Sequence, residues 1–167
     1  GSLHVIRSGG HTILLECGMI QGGRKAEERN RDAFPVPIDE IDAVILSHAH
    51  IDHSGRVPLL VRRGYTGPVY TQNATRALCT IMLPDSGYLS EKDAEWENKR
   101  RRKQGKPLIE PLYTLEDAQD CLGQFESFKY EQSFEVVPGV NACFYDAGHI
   151  LGSAIVELTF VADNKKL

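Results

Sequence analysis

Six histidines occur in the 167 residues, and three of them, His48, His50 and His53, fall with Asp52 inside six consecutive positions of the stretch SHAHIDHSG. Imidazole nitrogens bind zinc at about 2.0–2.1 Å, a carboxylate adds a harder oxygen ligand, and a catalytic site commonly has three protein ligands and one open position. On extended backbone, residues two apart project to the same side, so His48 and His50 are expected to converge on one point. Asp52 and His53, at the turn into a helix, then reach a second point nearby. Two metal centres roughly 3.5–4 Å apart can hold a hydroxide and stabilise a leaving oxygen, so the cluster has the ingredients of a dinuclear hydrolase. The competing readings are histidines at a strand end that bind nothing, or a purely structural metal site. Four ligand-type residues in six positions, after an apolar run and before glycine, weigh against the first.

A second candidate lies about a hundred residues on, in YDAGHILGSA, residues 145–154. His149 follows an apolar stretch ending at Asp146, and Gly148 and Gly152 let the backbone turn tightly enough to aim the imidazole back. By itself it reads equally well as a ligand or a bystander in a loop. Beside the first cluster it supplies the third nitrogen of a His48/His50/His149 centre.

Strands and turns must position these groups. Residues 3–7 and 12–16 are β-branched runs separated by Ser8-Gly9-Gly10, which is hairpin chemistry. The segment GGRKAEERNRDAFPVP reads as loop, residues 42–46 as a buried strand, and residues 55–63 as a helix that tolerates Pro58 in its first turn and stops at Gly64. Residues 68–71 form another short strand, and Asn73 is expected to cap a helix ending at Pro84. A separate charged helix is expected over 85–105, with Asp85 as its cap. Thr114-Leu-Glu-Asp117 resembles a capping box opening a helix to about Gln124. Strands then follow over 128–131, 134–137, 142–146 and 153–161, with a turn signal at 162–165. The alternation of strand and helix indicates an α/β layer.

Length and composition fit one soluble globular domain: 41% of residues are hydrophobic and 25% charged. The four cysteines, Cys17, Cys79, Cys121 and Cys143, form no C-x-x-C pair, which speaks against a zinc ribbon or thioredoxin-like site and for reduced thiols in the cytoplasm. No apolar run approaches the roughly 20 residues of a membrane span. A net charge of −4 gives no global nucleic-acid signature, so any polyanion contact must be local. Lys99 to Lys106 holds six basic residues, a candidate phosphate stripe or, more plainly, a solvated helix face beside acidic Glu91, Asp93, Glu95 and Glu97. Trp96 and Tyr88 are candidates for base stacking, with packing of the helix onto the core as the favoured reading.

SHAHIDHSG and DAGHILGSA resemble signature segments of the metallo-β-lactamase superfamily, specifically its β-CASP nucleic-acid-processing branch. TILLECGMIQGG (residues 12–23) resembles the branch's first motif, and HSGRVPLLVRRGYTGPVY and EPLYTLEDA are similar to its bacterial exonuclease members. The resemblance implies an α/β fold, the N-terminal part of an αββα sandwich with a mixed sheet and flanking helices. It implies that His48, His50 and His149 bind one zinc, that Asp52 and His53 contribute to the other, and that hydroxide between the metals attacks an RNA phosphodiester. Glu16 stands where the family's first motif has aspartate; one methylene longer, it is expected to accept a hydrogen bond from a ligand histidine. The family's later bridging aspartate and its β-CASP cap have no counterpart in residues 1–167, so a partial domain is expected, binding about one zinc of a two-zinc site and cleaving RNA weakly. Self-association through an exposed half-core, and no membrane contact, complete the expectation. Two other functions stay open: hydrolysis of a small thioester or lactone on the same fold, and a noncatalytic RNA-binding or scaffold module.

Overall fold

Gly9 and Gly10 take φ of 59° and 86°, the left-handed pair that a tight two-residue hairpin demands, and join β1 (His4–Ser8) to β2 (His11–Leu15). The computed structural model describes residues 1–23 and 28–161, so the predicted turn at 162–165 and part of the first loop lie outside the described residues. After the hairpin come β3 (Ala43–Ile45), helices α1 (Ile51–Ser54) and α2 (Val57–Arg62), β4 (Val69–Gln72), and the long helix α3 (Asn73–Lys103). Helix α4 (Leu115–Asp120) precedes β5 (Phe125–Phe128), β6 (Ser133–Val137), β7 (Val140–Asp146) and β8 (Ala154–Phe160).

The first five strands form one mixed sheet in sequence order, β1 antiparallel to β2 and the rest parallel; β6, β7 and β8 form a second, antiparallel sheet. Side chains alternate across a strand, and here both faces of the first sheet are used. Leu14, Val44 and Val69 face the helices, in a core shared with Leu60, Leu83 and Tyr113. Ile13, Ala43, Ile45 and Tyr70 face the second sheet and meet Phe134, Val140 and Phe144. Phe134 stacks on Phe128 with ring centroids 3.7 Å apart, tying the sheets together. The result is three layers, helices on sheet on sheet, as the α/β reading expected.

Helix α3 departs from the sequence reading. It does not stop at Pro84 but runs through it, so Asp85 lies inside a helix and caps nothing; the N-cap is Gln72, not Asn73, its side chain accepting from the Ala74 N–H. An interior proline costs about 3 kcal/mol or more, and packing on both sides outweighs it. Cys79 and Leu83 are fully buried before it, and after it a Cβ on Gly87 would fall 2.6 Å from the Thr114 carbonyl oxygen, so the helix backbone lies directly against the start of α4.

Trp96 and Tyr88 do not pack onto the core; they are 66% and 48% exposed. The capping box is present with aspartate: Thr114 Oγ1 accepts from Asp117 N–H and Asp117 Oδ2 from Thr114 N–H. The strand expected at 128–131 ends at Phe128, because pairing with β4 places Phe125 opposite Val69 and draws the strand three residues upstream.

Candidate metal centre

The histidine cluster begins three residues beyond β3, where parallel strands leave their carboxyl ends open to loops. Three devices fix it. Glu16 follows β2 with φ of 68°, a left-handed conformation that bulky residues seldom adopt. This turn carries its carboxylate under the cluster: Oε1 accepts from Ser47 N–H at 2.9 Å, and Oε2 lies 3.4 Å from His53 Nδ1. Residues 17–19 then run along the metal loop, with Cys17 N–H donating to His53 O and Met19 N–H to Ile51 O. Gly18 sits so close that a Cβ would fall 1.6 Å from the Asp52 carbonyl oxygen.

The third device brings His149 across. Gly148 and Gly152 have φ of 65° and 78°, as the turn requires. Ser153 Oγ accepts from both His149 N–H and Ile150 N–H at 3.1 Å, and the Gly152 carbonyl accepts from Thr75 Oγ1 at 2.7 Å. Ala154 N–H donates to Ser47 O, so the first residue of β8 is bonded to the residue preceding His48.

His48, His50 and His149 consequently meet, with ligand atoms all within 4.8 Å of one another. His50 Nδ1 lies 3.2 Å from His48 Nε2 and 3.3 Å from His149 Nε2. The rings stand nearly perpendicular, at 74°, 80° and 83°. One imidazole nitrogen has a single in-plane site for a hydrogen-bond partner, so His50 Nδ1 cannot satisfy both neighbours. Two nitrogens bound at tetrahedral angles to one zinc stand ~3.3–3.4 Å apart, given zinc–nitrogen bonds of about 2.0–2.1 Å. The donor set fits a divalent cation better than it fits hydrogen bonding.

Electrostatics agree with that fit. Burial, then the neighbouring His53, His50 and His149, push the His48 imidazole down to about 4, so its ring is neutral near pH 7. Ser47 Oγ sits 2.9 Å from His48 Nδ1; a proton there leaves the Nε2 lone pair facing the centre.

Asp52 and His53 form a second, looser pair. His53 Nε2 is 3.6 Å from Asp52 Oδ2, and its ring centroid is 4.0 Å from that of His48. His53 Nδ1 and Glu16 Oε2 are buried and face each other without an aligned hydrogen bond. With the His53 proton toward Glu16, Nε2 and Asp52 Oδ2 present two electron pairs to one gap, which a cation or a proton must fill. Burial raises the Glu16 carboxyl to about 7, against the opposing hydrogen bonds from Ser47. A cation held by these groups would supply Lewis acidity and a nucleophile at neutral pH. The protein's own part is to hold the His48 imidazole neutral, orient the rings, and keep the Glu16 carboxyl behind His53.

Every residue predicted from the sequence is at the site, in two groups: His48, His50 and His149 together, and Asp52 and His53 beside them with Glu16 beneath. Sequence reasoning missed Ser47, Thr75 and Ser153, ordinary residues whose roles come from position alone. It also missed Asn30, whose side chain bonds both the N–H and the carbonyl of Ile20 and holds the loop after the first motif.

The model of the metallo-beta-lactamase superfamily matches residues 1–118. The chain belongs to the metallo-β-lactamase superfamily. That match contains His48 to His53 and ends before His149; longer alignments carry the similarity past it. Ribonuclease TTHA0252 of Thermus thermophilus is 38% identical over 156 residues, covering 93% of this chain and 31% of that protein. Transcription termination factor FttA of Methanocaldococcus jannaschii is 35% identical over 146 residues, covering 87% of this chain and 21% of that one. Integrator complex subunit 11 of Danio rerio is 29% identical over 161 residues, covering 92% and 24%. This metallo-β-lactamase domain thus spans less than a third of the length of these relatives, whose names agree with the β-CASP resemblance of the motifs. Among solved structures, the metallo-β-lactamase fold protein YhfI of Bacillus subtilis superposes with a TM-score of 0.53 at 17% identity, over 95% of this chain and 49% of that one. A flavo di-iron protein of Thermotoga maritima gives 0.56 at 13% identity, over 93% and 30%. These two likenesses establish the fold alone.

Proposed function

We propose that this domain is the metal-binding portion of a zinc-dependent hydrolase of RNA phosphodiester bonds. His48, His50 and His149 hold one zinc, Asp52 and His53 contribute to a second, with Asp52 as the catalytic carboxylate, and Glu16 faces His53 from behind. The observation that carries the reading is the convergence of three mutually perpendicular imidazoles from positions 99 residues apart. Relatives named as a ribonuclease, a termination factor and an Integrator subunit favour RNA over a small thioester or lactone. Within residues 1–161 the ligand positions of the matched motifs, His48, His50, Asp52, His53 and His149, are all filled, which argues against a scaffold that has lost its metals. Four free, buried cysteines support a reducing, cytoplasmic setting, and no helix among the described residues is long and apolar enough to cross a membrane.

The test has two parts. Elemental analysis of the chain is expected to give about one tightly held zinc, lost in His48→Ala and His149→Ala. RNA cleavage is then assayed in a chimera carrying residues 1–161 in place of the matching segment of the Thermus ribonuclease. Chelator-sensitive cleavage that disappears with His149→Ala supports the reading. A folded, metal-loaded chimera that hydrolyses a thioester or lactone but not RNA overturns it.

A further inference from the structure

Helix α3 carries an exposed apolar stripe, two of whose members, Leu89 and Trp96, also line a cavity with Met19 and Ile51. Ile81, Tyr88, Leu89 and Trp96 are 68%, 48%, 51% and 66% exposed. At about 100° per residue they fall within an arc of ~100° on the face opposite buried Cys79, Leu83 and Ala94, and they span ~23 Å of helix. Isolated exposed apolar residues are ordinary; four aligned along one helix form a surface with a use.

The spacing of the stripe is palindromic. Its midpoint falls between Tyr88 and Leu89. Ile81 lies seven residues before Tyr88 and Trp96 seven after Leu89; exposed Asp85 lies three before and exposed Lys92 three after. Laid antiparallel against its own copy about a two-fold axis through that midpoint, the helix sets Tyr88 against Leu89, Ile81 against Trp96, and Asp85 against Lys92. Each pairing occurs twice, as in any isologous interface. A step farther out, Leu78 meets Lys99, whose methylene stem can cover it. Like charges are absent from these pairs, and the charged pair is of opposite sign.

We propose that the α3 stripe is the contact between two copies of this chain, packed antiparallel with Asp85 of one copy paired to Lys92 of the other. The inference is independent of the metal centre and of its substrate. It places the self-association, expected from the sequence through an exposed half-core, on α3 rather than on the outer face of the second sheet. There, Ile155 and Val161 are also exposed, but Glu157 lies between them, facing Tyr145, and no self-complementary spacing appears. In the single chain Lys92 pairs with Glu95 at 3.0 Å and lies 5.5 Å from the Tyr88 ring centroid, so it already sits over the stripe. One helix pair is a small contact, and micromolar or weaker association is expected.

The experiment is sedimentation velocity of the full chain from micromolar to millimolar concentration, with Asp85→Lys, Lys92→Asp and the double variant. Both positions are exposed on a helix, and circular dichroism checks that each variant folds. Wild type is expected to dimerise with concentration. Either single exchange places like charges together twice and weakens the dimer by about tenfold or more; the double exchange restores it. A chain that stays monomeric throughout overturns the proposal. So does a dimer indifferent to both single exchanges but lost in Ile155→Lys, which assigns the contact to the second sheet. A monomer whose Trp96→Ala variant loses affinity for single-stranded RNA also overturns it and assigns the stripe to nucleic acid.

Discussion

The two halves of the metal centre are built differently. On one side three imidazoles meet with two nitrogen contacts of 3.2 and 3.3 Å, the His48 ring held from behind by Ser47 and the His149 backbone N–H by Ser153. On the other, Asp52 and His53 stand 3.6 Å apart, and the buried contact behind them, His53 to Glu16, is unaligned. The first half is largely preorganised, since the His50 nitrogen already stands from both partners at the separation a tetrahedral cation imposes, and all three ligand atoms lie within 4.8 Å of one another. The second has ligands of the right type and no such closure. One ion should therefore be held tightly by the first half and a second weakly by the other, and substitutions should separate the two.

The largest effect is expected from His149→Ala, which removes a ligand and leaves a two-imidazole site. Competition with a chromophoric chelator should show the tight ion weakened by more than about a hundredfold, beyond the range seen for groups that only touch a ligand. If affinity holds, the two motifs do not share an ion. Next comes His53→Ala. The weak second ion should be lost while affinity for the first changes by less than about tenfold; equal loss of both would make the halves one cooperative unit. Glu16→Gln keeps the contact with Ser47 N–H and removes the charge facing His53, so it should weaken only the second ion, by about tenfold.

The smallest effect lies in the helix-side core and serves as a control far from either half. Burial pushes the Cys79 thiol and the Tyr113 hydroxyl up to about 12. In the unfolded chain these groups release their protons at lower pH than in the folded one. Above the ordinary thiol range the unfolded state thus binds fewer protons, and stability should fall as pH rises from about 9. Urea denaturation at a series of pH values measures this. Cys79 should also resist alkylation at neutral pH until the chain unfolds.

Much of this centre was legible in the sequence because its instructions are local. H-x-H on extended backbone aims two rings together whatever surrounds them, and glycines flanking His149 permit only a narrow set of turns. The hairpin glycines and the Thr114 capping box are local in the same sense. What escaped was decided at long range. Pro84 breaks a helix by local rules, yet α3 continues because Leu83 and Gly87 are packed on either side. Trp96 and Tyr88 follow the composition of core residues, but the helix turns them outward. Ser153 and Thr75 have no pattern of their own; their importance comes from strands and helices far apart in the chain.

The bond from Ala154 N–H to Ser47 O, which seats His149 against His48 and His50, has a consequence for synthesis. Ribosomes add about 5–20 residues per second, so His149 emerges roughly 5–20 s after His50. During that interval the nascent chain presents two of the three histidines of this centre and lacks His149. An ion met early is held loosely and can be exchanged; only the docking of the second sheet makes its capture durable. Selection of a metal would thereby be postponed until the domain has folded, when the shape of the finished pocket, rather than the first cation encountered, would decide what stays.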